Sequence, residues 1–254
     1  MTDTTQDEFL DGRLVIRQPI KGYRAGADPV FLAAAVPAKS GESVLELGCG
    51  VGVALYCLMR RVSGLSATGV EFQHELAHLA RENGEANGLK AEIVTANLMA
   101  LPEPIKAVSY DHVFANPPYF DRRTGSESAE IGRELGRGEE TPLTDWVDVA
   151  VRRLKPKGRL TLIQRTSRLS DVLATLDDRV GDVSVQPLVA RKNHDSEHFI
   201  LSARKGAKGA FRLQYPLVLH DGAKHIADGD SYSPAAKSVL RDSESLSDAI
   251  LALK

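Results

Sequence analysis

The sequence predicts an α/β fold: a seven-stranded, mostly parallel sheet with helices on both faces. Three observations carry this. From residue 40 onward, short apolar runs alternate with helical stretches. Single helices separate most consecutive strands, as parallel crossovers require. A glycine-rich turn, Gly48-x-Gly50-x-Gly52, joins the first of these strands to the first helix. Open sheets of this kind bind ligands beyond the carboxyl ends of their strands.

The elements follow in order. SVLELG (43–48) reads as a strand, and VALYCLMRRV (53–62) as the helix after the glycines. SATGVE (66–71) is a second strand, and the amphipathic stretch 72–87 is a helix that stops before Gly88. AEIVTA (91–96) and YDHVFA (110–115) are the third and fourth strands. A helix is expected over 144–156 with Thr144 as its N-cap, then a strand over 158–164. A helix near 167–179 and strands near 183–190 and 197–204 complete the sheet. The tail carries a Ser-Pro helix start and one helix near 234–253. The expected organisation is a single domain over 1–254, with an N-terminal segment (1–40), a core (41–206) and a C-terminal extension (207–254). A polar, glycine-rich connection over 121–142 is long enough to be a binding loop or lid.

With 254 residues, 43% of them hydrophobic and 26% charged, the chain can bury a sizeable core. Its acidic, polar start does not read as a signal peptide, and its longest apolar run is too short for a membrane span. Cys49 and Cys57 make neither a disulfide framework nor a zinc set. A cytosolic protein is expected, as a monomer or homodimer. His74/His78 and His194/His198 are spaced by four but lack further ligands, so no metal is expected. Charge is uneven along the chain. Residues 1–150 hold 14 Lys and Arg against 22 Asp and Glu, whereas 151–212 hold 14 against 6. A basic segment of this kind fits a polyanionic partner.

Three elements carry chemistry. Glycines at 48, 50 and 52 let a backbone turn tightly and meet a ligand without a Cβ in the way. Their G-x-G-x-G spacing differs from the G-x-G-x-x-G of dinucleotide sites. Glu71, at the tip of the second strand, is placed to accept both hydroxyls of a ribose. The fourth strand ends in Asn116-Pro117-Pro118-Tyr119, where two residues without an N–H stop any ladder.

Taken together, ELGCGVG (46–52), VE (70–71) and NPPY (116–119) resemble the landmarks of class I S-adenosylmethionine-dependent methyltransferases. The resemblance implies a Rossmann-like core, S-adenosylmethionine as cofactor, and methylation of an amine conjugated to a ring or carbonyl. Such an amine is a poor nucleophile because its lone pair is delocalised. The Asn116 side-chain oxygen and the Pro117 carbonyl would accept its N–H hydrogens and free the lone pair, and Tyr119 would stack on the target ring. The cofactor positions implied are Glu46, Gly48, Cys49, Gly50, Gly52, Glu71, Phe72, Asn97, Leu98 and Asn116. Relatives often carry Asp where Asn97 stands; its amide oxygen can accept the same bond, so cofactor binding is expected to be retained.

IRQPIKGYRAGADPVFLAAAV (16–36), LVARKNHDSEHFILSARKG (188–206) and the tail resemble bacterial tRNA(adenine-N6)-methyltransferases acting next to the anticodon of a valine tRNA. That places Tyr23, Arg24 and Asp28 near the methionine end of the cofactor. The basic segment 151–212, including Arg152, Arg153, Arg191 and Lys192, is expected to meet the RNA backbone. Guanine-N2 methylation of ribosomal RNA uses the same acceptors and stays open. Glutamine-N5 methylation of a protein is disfavoured, since about 45 residues precede the loop and leave little room for a substrate domain. An RNA-binding protein with a degenerate site is the non-enzymatic alternative; cofactor binding separates it from the others.

Overall fold

The computed structural model describes residues 3–22, 24–118, 141–222 and 231–252. Its centre is a nine-stranded mixed sheet. The seven expected strands are present as β3 (Ser43–Leu47), β4 (Ser66–Glu71), β5 (Glu92–Thr95), β6 (Tyr110–Ala115), β7 (Leu154–Arg165), β8 (Val180–Val189) and β9 (Ser196–Lys205). Two further strands of two residues each, β10 (Arg212–Leu213) and β11 (Leu217–Val218), pair with β8 at the edge. They raise the count above seven, and neither has a sequence signature long enough to read. The order is β10-β8-β9-β7-β6-β3-β4-β5, parallel except where β9 runs against β7 and β8.

Helices cover both faces because the central strands are apolar on both sides, as parallel strands must be. On one face α1 (Asp28–Ala35), α2 (Val53–Arg61) and α3 (His74–Ala86) bury Phe31, Leu32, Leu55 and Tyr56. On the other, α4 (Glu103–Ala107), α5 (Leu143–Arg153) and α6 (Leu169–Ala174) pack around Leu45, Leu47, Trp146 and Val151. The tail folds as α7 (Pro234–Leu240) and α8 (Leu246–Leu251), whose Val239, Leu246 and Ala249 join the first apolar cluster.

Three expectations need correction. Helix α5 begins after Pro142 with no side-chain cap, so Thr144 lies inside its first turn. The stretch near 167–179 is a 3-10 turn, Thr166–Arg168, followed by the short α6. The single helix near 234–253 is two helices. Ser243 takes a left-handed φ of 63° between them, and Ser245 Oγ restarts the chain by accepting from the Asp248 N–H at 3.1 Å.

The N-terminal segment contains an antiparallel hairpin, β1 (Thr4–Phe9) with β2 (Leu14–Pro19). Two carboxamides, Asn83 on α3 and Asn87 at its C-cap, dock it. Asn87 accepts from the Val15 N–H and donates to the Val15 carbonyl, at 3.0 and 2.7 Å. Asn83 does the same for Arg17, at 2.8 and 3.1 Å. One helical turn rises about 5.4 Å and two strand residues about 6.7 Å, so side chains four apart on a helix meet alternate strand residues. Asn83 Nδ2 also reaches the Val51 carbonyl at 3.0 Å, which ties the hairpin to the glycine turn. Asn83→Ala would leave buried backbone groups unpaired. It is expected to destabilise the protein by about 2–3 kcal/mol in urea unfolding, an exposed control such as His78→Ala by under about 0.5.

Candidate active site

The sheet order reverses between β3 and β6, which opens a crevice at their carboxyl ends. Register then fixes the neighbours. Leu47 is level with Ala115 on one side and Val70 on the other. The next residues, Gly48, Asn116 and Glu71, therefore leave the sheet side by side at strand spacing, about 4.8 Å. Residues 68 positions apart in the chain meet here because β6 inserts beside β3.

The glycine turn folds over the end of β4. Gly48 N and Cys49 N both donate to the Val70 carbonyl, at 2.7 and 3.0 Å. Gly52 has φ 92°, and a Cβ there would lie 2.3 Å from the Tyr56 ring, so no larger residue fits. Gly50, at φ 55°, has no atom of the described residues within 4 Å of where a Cβ would stand. Glu71 ties the turn to the next strand. Its Oε2 accepts from Gly50 N at 2.9 Å and its Oε1 from Gln73 N at 2.8 Å. Burial nevertheless pushes the Glu71 carboxyl above its ordinary pKa, against the backbone donors of Gln73, Gly50 and Phe72.

Glu46 lies beneath the turn and is 3% exposed. Burial raises its pKa well above the usual carboxylate range, opposed by the Leu55 N–H and assisted by the Glu71 charge. Leu55 is in the first turn of α2, whose N-cap, Gly52, has no side chain to offer. Glu46 thus supplies an acceptor for an orphan N–H. Its Oε2 stays buried with no hydrogen-bond partner among the described residues. Cys49 is buried, with its Sγ packed against Gly69, and its thiol is pushed up by burial. It behaves as a small loop-packing residue.

Further along the crevice, Phe72 is 51% exposed directly after Glu71. Asn97 caps the 3-10 turn Leu98–Ala100, its Oδ1 accepting from Met99 N at 2.8 Å. One lone pair of that oxygen is committed to the cap, and the second can accept from a ligand. Leu98 itself is buried, with Met99 exposed beside it.

At the other wall, Asn116 is half-buried and Pro117 buried. The Pro117 carbonyl accepts from Gln164 Nε2 at 3.1 Å. No motif or spacing marks Gln164; the one signal is a polar residue closing the apolar run LTLIQ. Tyr119, Tyr23 and the connection over 121–140 lie outside the described residues. Arg24 is held by the N-terminal hairpin: it donates to both Asp7 oxygens, at 2.8 and 2.6 Å, and to Thr5. Asp28 opens α1 and sits 3.7 Å from His198 of β9.

The basic residues divide between two ends of the molecule. Leu154 pairs with Tyr110, the first residue of β6, so Arg152 and Arg153 sit at the amino ends of the strands. That is roughly 17 Å along β6 from Ala115 at about 3.3 Å per residue. Arg152 pairs with Asp148, and Arg153 donates to the Ile105 and Lys106 carbonyls that end α4. Both therefore lie at the end of the sheet opposite the crevice. Arg191 and Lys192 lie in the β8–β9 turn at the crevice end, with Lys192 exposed and Arg191 donating to the Asp221 and Gly222 carbonyls. Arg165, exposed at the end of β7, shares this end. Among the described residues, no cluster of three or more His, Cys, Asp or Glu could hold a metal ion. No helix among them is long and apolar enough to cross a membrane.

A parallel sheet with one reversed strand, a glycine turn and an Asn-Pro-Pro element at its crevice define a class I S-adenosylmethionine-dependent methyltransferase. The chain belongs to the methyltransferase small domain family, whose model matches residues 27–191. It is similar to the tRNA1(Val) (adenine(37)-N6)-methyltransferase of Porphyromonas gingivalis, 30% identical over 175 residues, covering 65% of this chain and 68% of that protein. The enzyme of the same name from Aeromonas hydrophila is 27% identical over 210 residues, 81% of this chain and 86% of that one. Among solved structures, a predicted O-methyltransferase of Agrobacterium tumefaciens superposes with a TM-score of 0.66 at 21% identity, over 84% of this chain and 94% of that one. TrmN from Thermus thermophilus gives 0.51 at 20% identity, over 70% and 48%.

Proposed function

We propose that this protein methylates the exocyclic N6 amine of an adenine in tRNA, with the adenine 3′ of the anticodon of a valine tRNA as the target. The observation that carries the reading is the register that sets Asn116 beside Gly48, acceptor against cofactor turn. The similarity to enzymes named for that reaction supplies the substrate.

The residues fit the cofactor. Open space at Gly50, the unpartnered Glu46 oxygen beneath the turn and the exposed Phe72 ring offer room, a polar group and an aromatic face around the glycine turn. Glu71 would take the ribose hydroxyls, Phe72, Asn97 and Leu98 the adenine, and the glycine turn with Glu46, Arg24 and Asp28 the methionine end. When bound, S-adenosylmethionine supplies a methyl group on a sulfonium, which leaves without acid catalysis. The protein's own work is on the amine. Asn116 Oδ1 and the Pro117 carbonyl each accept one N–H hydrogen, favouring a pyramidal nitrogen whose lone pair leaves the ring system. Once methylated, the nitrogen carries a positive charge and one surplus N–H, which stays hydrogen-bonded to one of these oxygens until water takes it as a proton. Tyr119 would stack on the base and hold its plane.

Incubating the protein with labelled cofactor and unmodified tRNA, then digesting to nucleosides, tests the reading. N6-methyladenosine is the expected product, and N2-methylguanosine would overturn the adenine assignment. RNA contact is expected at the crevice end. Arg165→Ala with Lys192→Ala should weaken tRNA binding about tenfold and lower its salt slope by roughly one to two, whereas Arg152→Ala should change neither. Filter binding between low and moderate salt measures both.

A further inference from the structure

Positions 117 and 118 are both proline, so the turn after β6 has no N–H of its own there. The direction of its carbonyls must be set from outside. The donor is Gln164, fully buried at the end of β7. Its Nε2 donates to the Pro117 carbonyl at 3.1 Å and lies 3.5 Å from the Pro118 carbonyl. The carboxamide has only one consistent orientation. The Arg165 N–H donates to Oε1 at 2.8 Å, so the amino group must face the prolyl carbonyls, which only accept.

We propose that Gln164 is a positioning residue for methyl transfer, aiming the Pro117 carbonyl so that its second lone pair meets the target amine. The proposal rests on Asn116 and Pro117 being the acceptors. A carbonyl carries two lone pairs, and Gln164 occupies one of them. Because Gln164 is buried, bulk water does not compete for the bond, and in a low-dielectric site it holds the carbonyl firmly. The register places it correctly without distortion. Ala115 pairs with Leu162, so Gln164 stands two residues on, level with Pro117. Strand β9 backs it, with Phe199 opposite and buried. A rigid strand therefore presents the donor to a turn that has none.

The test uses Gln164→Met, Gln164→Glu and Asn116→Ala, with steady-state kinetics on unmodified tRNA and calorimetric cofactor binding. Methionine keeps the length and removes the donor. It is expected to lower kcat by about 10- to 100-fold, the scale of a misplacement near 1 Å, with tRNA KM and cofactor Kd within about threefold. Glutamate can donate to Pro117 only when protonated, and burial raises its pKa. Its kcat at saturating cofactor, relative to wild type at each pH, is therefore expected to recover as pH falls from about 8 to about 6, with a cofactor Kd that tracks that of wild type. A purely structural role would not produce that recovery. Full kcat in Gln164→Met, cofactor affinity lost in step with kcat, or no recovery in Gln164→Glu would each overturn the proposal. If Asn116→Ala is inactive while Gln164→Met is fully active, the acceptor reading stands and the Gln164 proposal falls. If Asn116→Ala is fully active, both fall.

Discussion

Asn116→Ala is expected to lower kcat by about 100- to 1000-fold, the cost typical of removing one preorganised group aimed at the reacting centre. Cofactor affinity should change by only about threefold, because the residues proposed to hold the adenine and ribose lie at the end of β4 and after β5 rather than on β6. Asn116→Asp keeps an acceptor oxygen at the same place and should hold kcat within about tenfold of wild type. The contrast separates a specific acceptor from a general effect of altering the turn. Single-turnover rates at saturating cofactor, with calorimetry in parallel, measure it. Equal losses in the Ala and Asp variants would remove Asn116 from the role of acceptor.

Glu71→Gln is expected to weaken cofactor binding by about 10- to 100-fold, as charge-assisted bonds to ligand hydroxyls become neutral ones. Binding to the wild type should also weaken as pH falls, because only the ionised carboxylate accepts from both hydroxyls. The fall should begin above the ordinary glutamate range, since burial raises the Glu71 pKa in the fold. The sign for stability is opposite. A carboxyl whose folded pKa is raised stabilises the fold when protonated and loses that contribution as pH rises through the folded value. Ionised Glu71 therefore works against the cofactor-free fold at neutral pH, but Glu71→Gln turns an amide NH2 toward one of the two backbone donors, Gly50 N or Gln73 N, so the variant should melt somewhat below wild type there. Calorimetric Kd and scanning-calorimetric Tm between about pH 5 and 8 check both. A Gln variant with wild-type affinity, or one that retains the full acid-side loss, would sink this account of Glu71.

Glu71 and Asn116 were legible in the sequence for the same reason. Each closes a strand whose apolar run is unmistakable, and a polar residue at that point in a parallel sheet faces the crevice. The glycine turn was equally plain, because Gly50 and Gly52 adopt backbone angles that larger residues rarely take. Arg152 and Arg153 show the limit of charge counting. A basic segment of chain is not a basic surface, since it runs along the sheet and back. Helix α5 carries its last turn to the end opposite the crevice, and local carbonyl and carboxylate partners absorb both guanidinium groups. Arg191 and Lys192, in the same segment, fall at the crevice end because β8 and β9 turn there. The helix break at Ser243 was hidden for another reason: its serines suit either a helix interior or a cap, and only packing of both α7 and α8 into one core decides between them.

By itself the sequence determined the kind of chemistry, because strand ends, glycine turns and paired prolines are set by residues adjacent in the chain. The tertiary structure alone decided what holds that chemistry in place. Gln164 meets Pro117 across 47 residues, and Asn83 meets Arg17 across 66. Such pairs depend on strand order and register, which no local pattern encodes. NPPY marked the end of the strand as a candidate site; only the fold revealed that the carbonyl of Pro117 is held by a buried amide from the next strand.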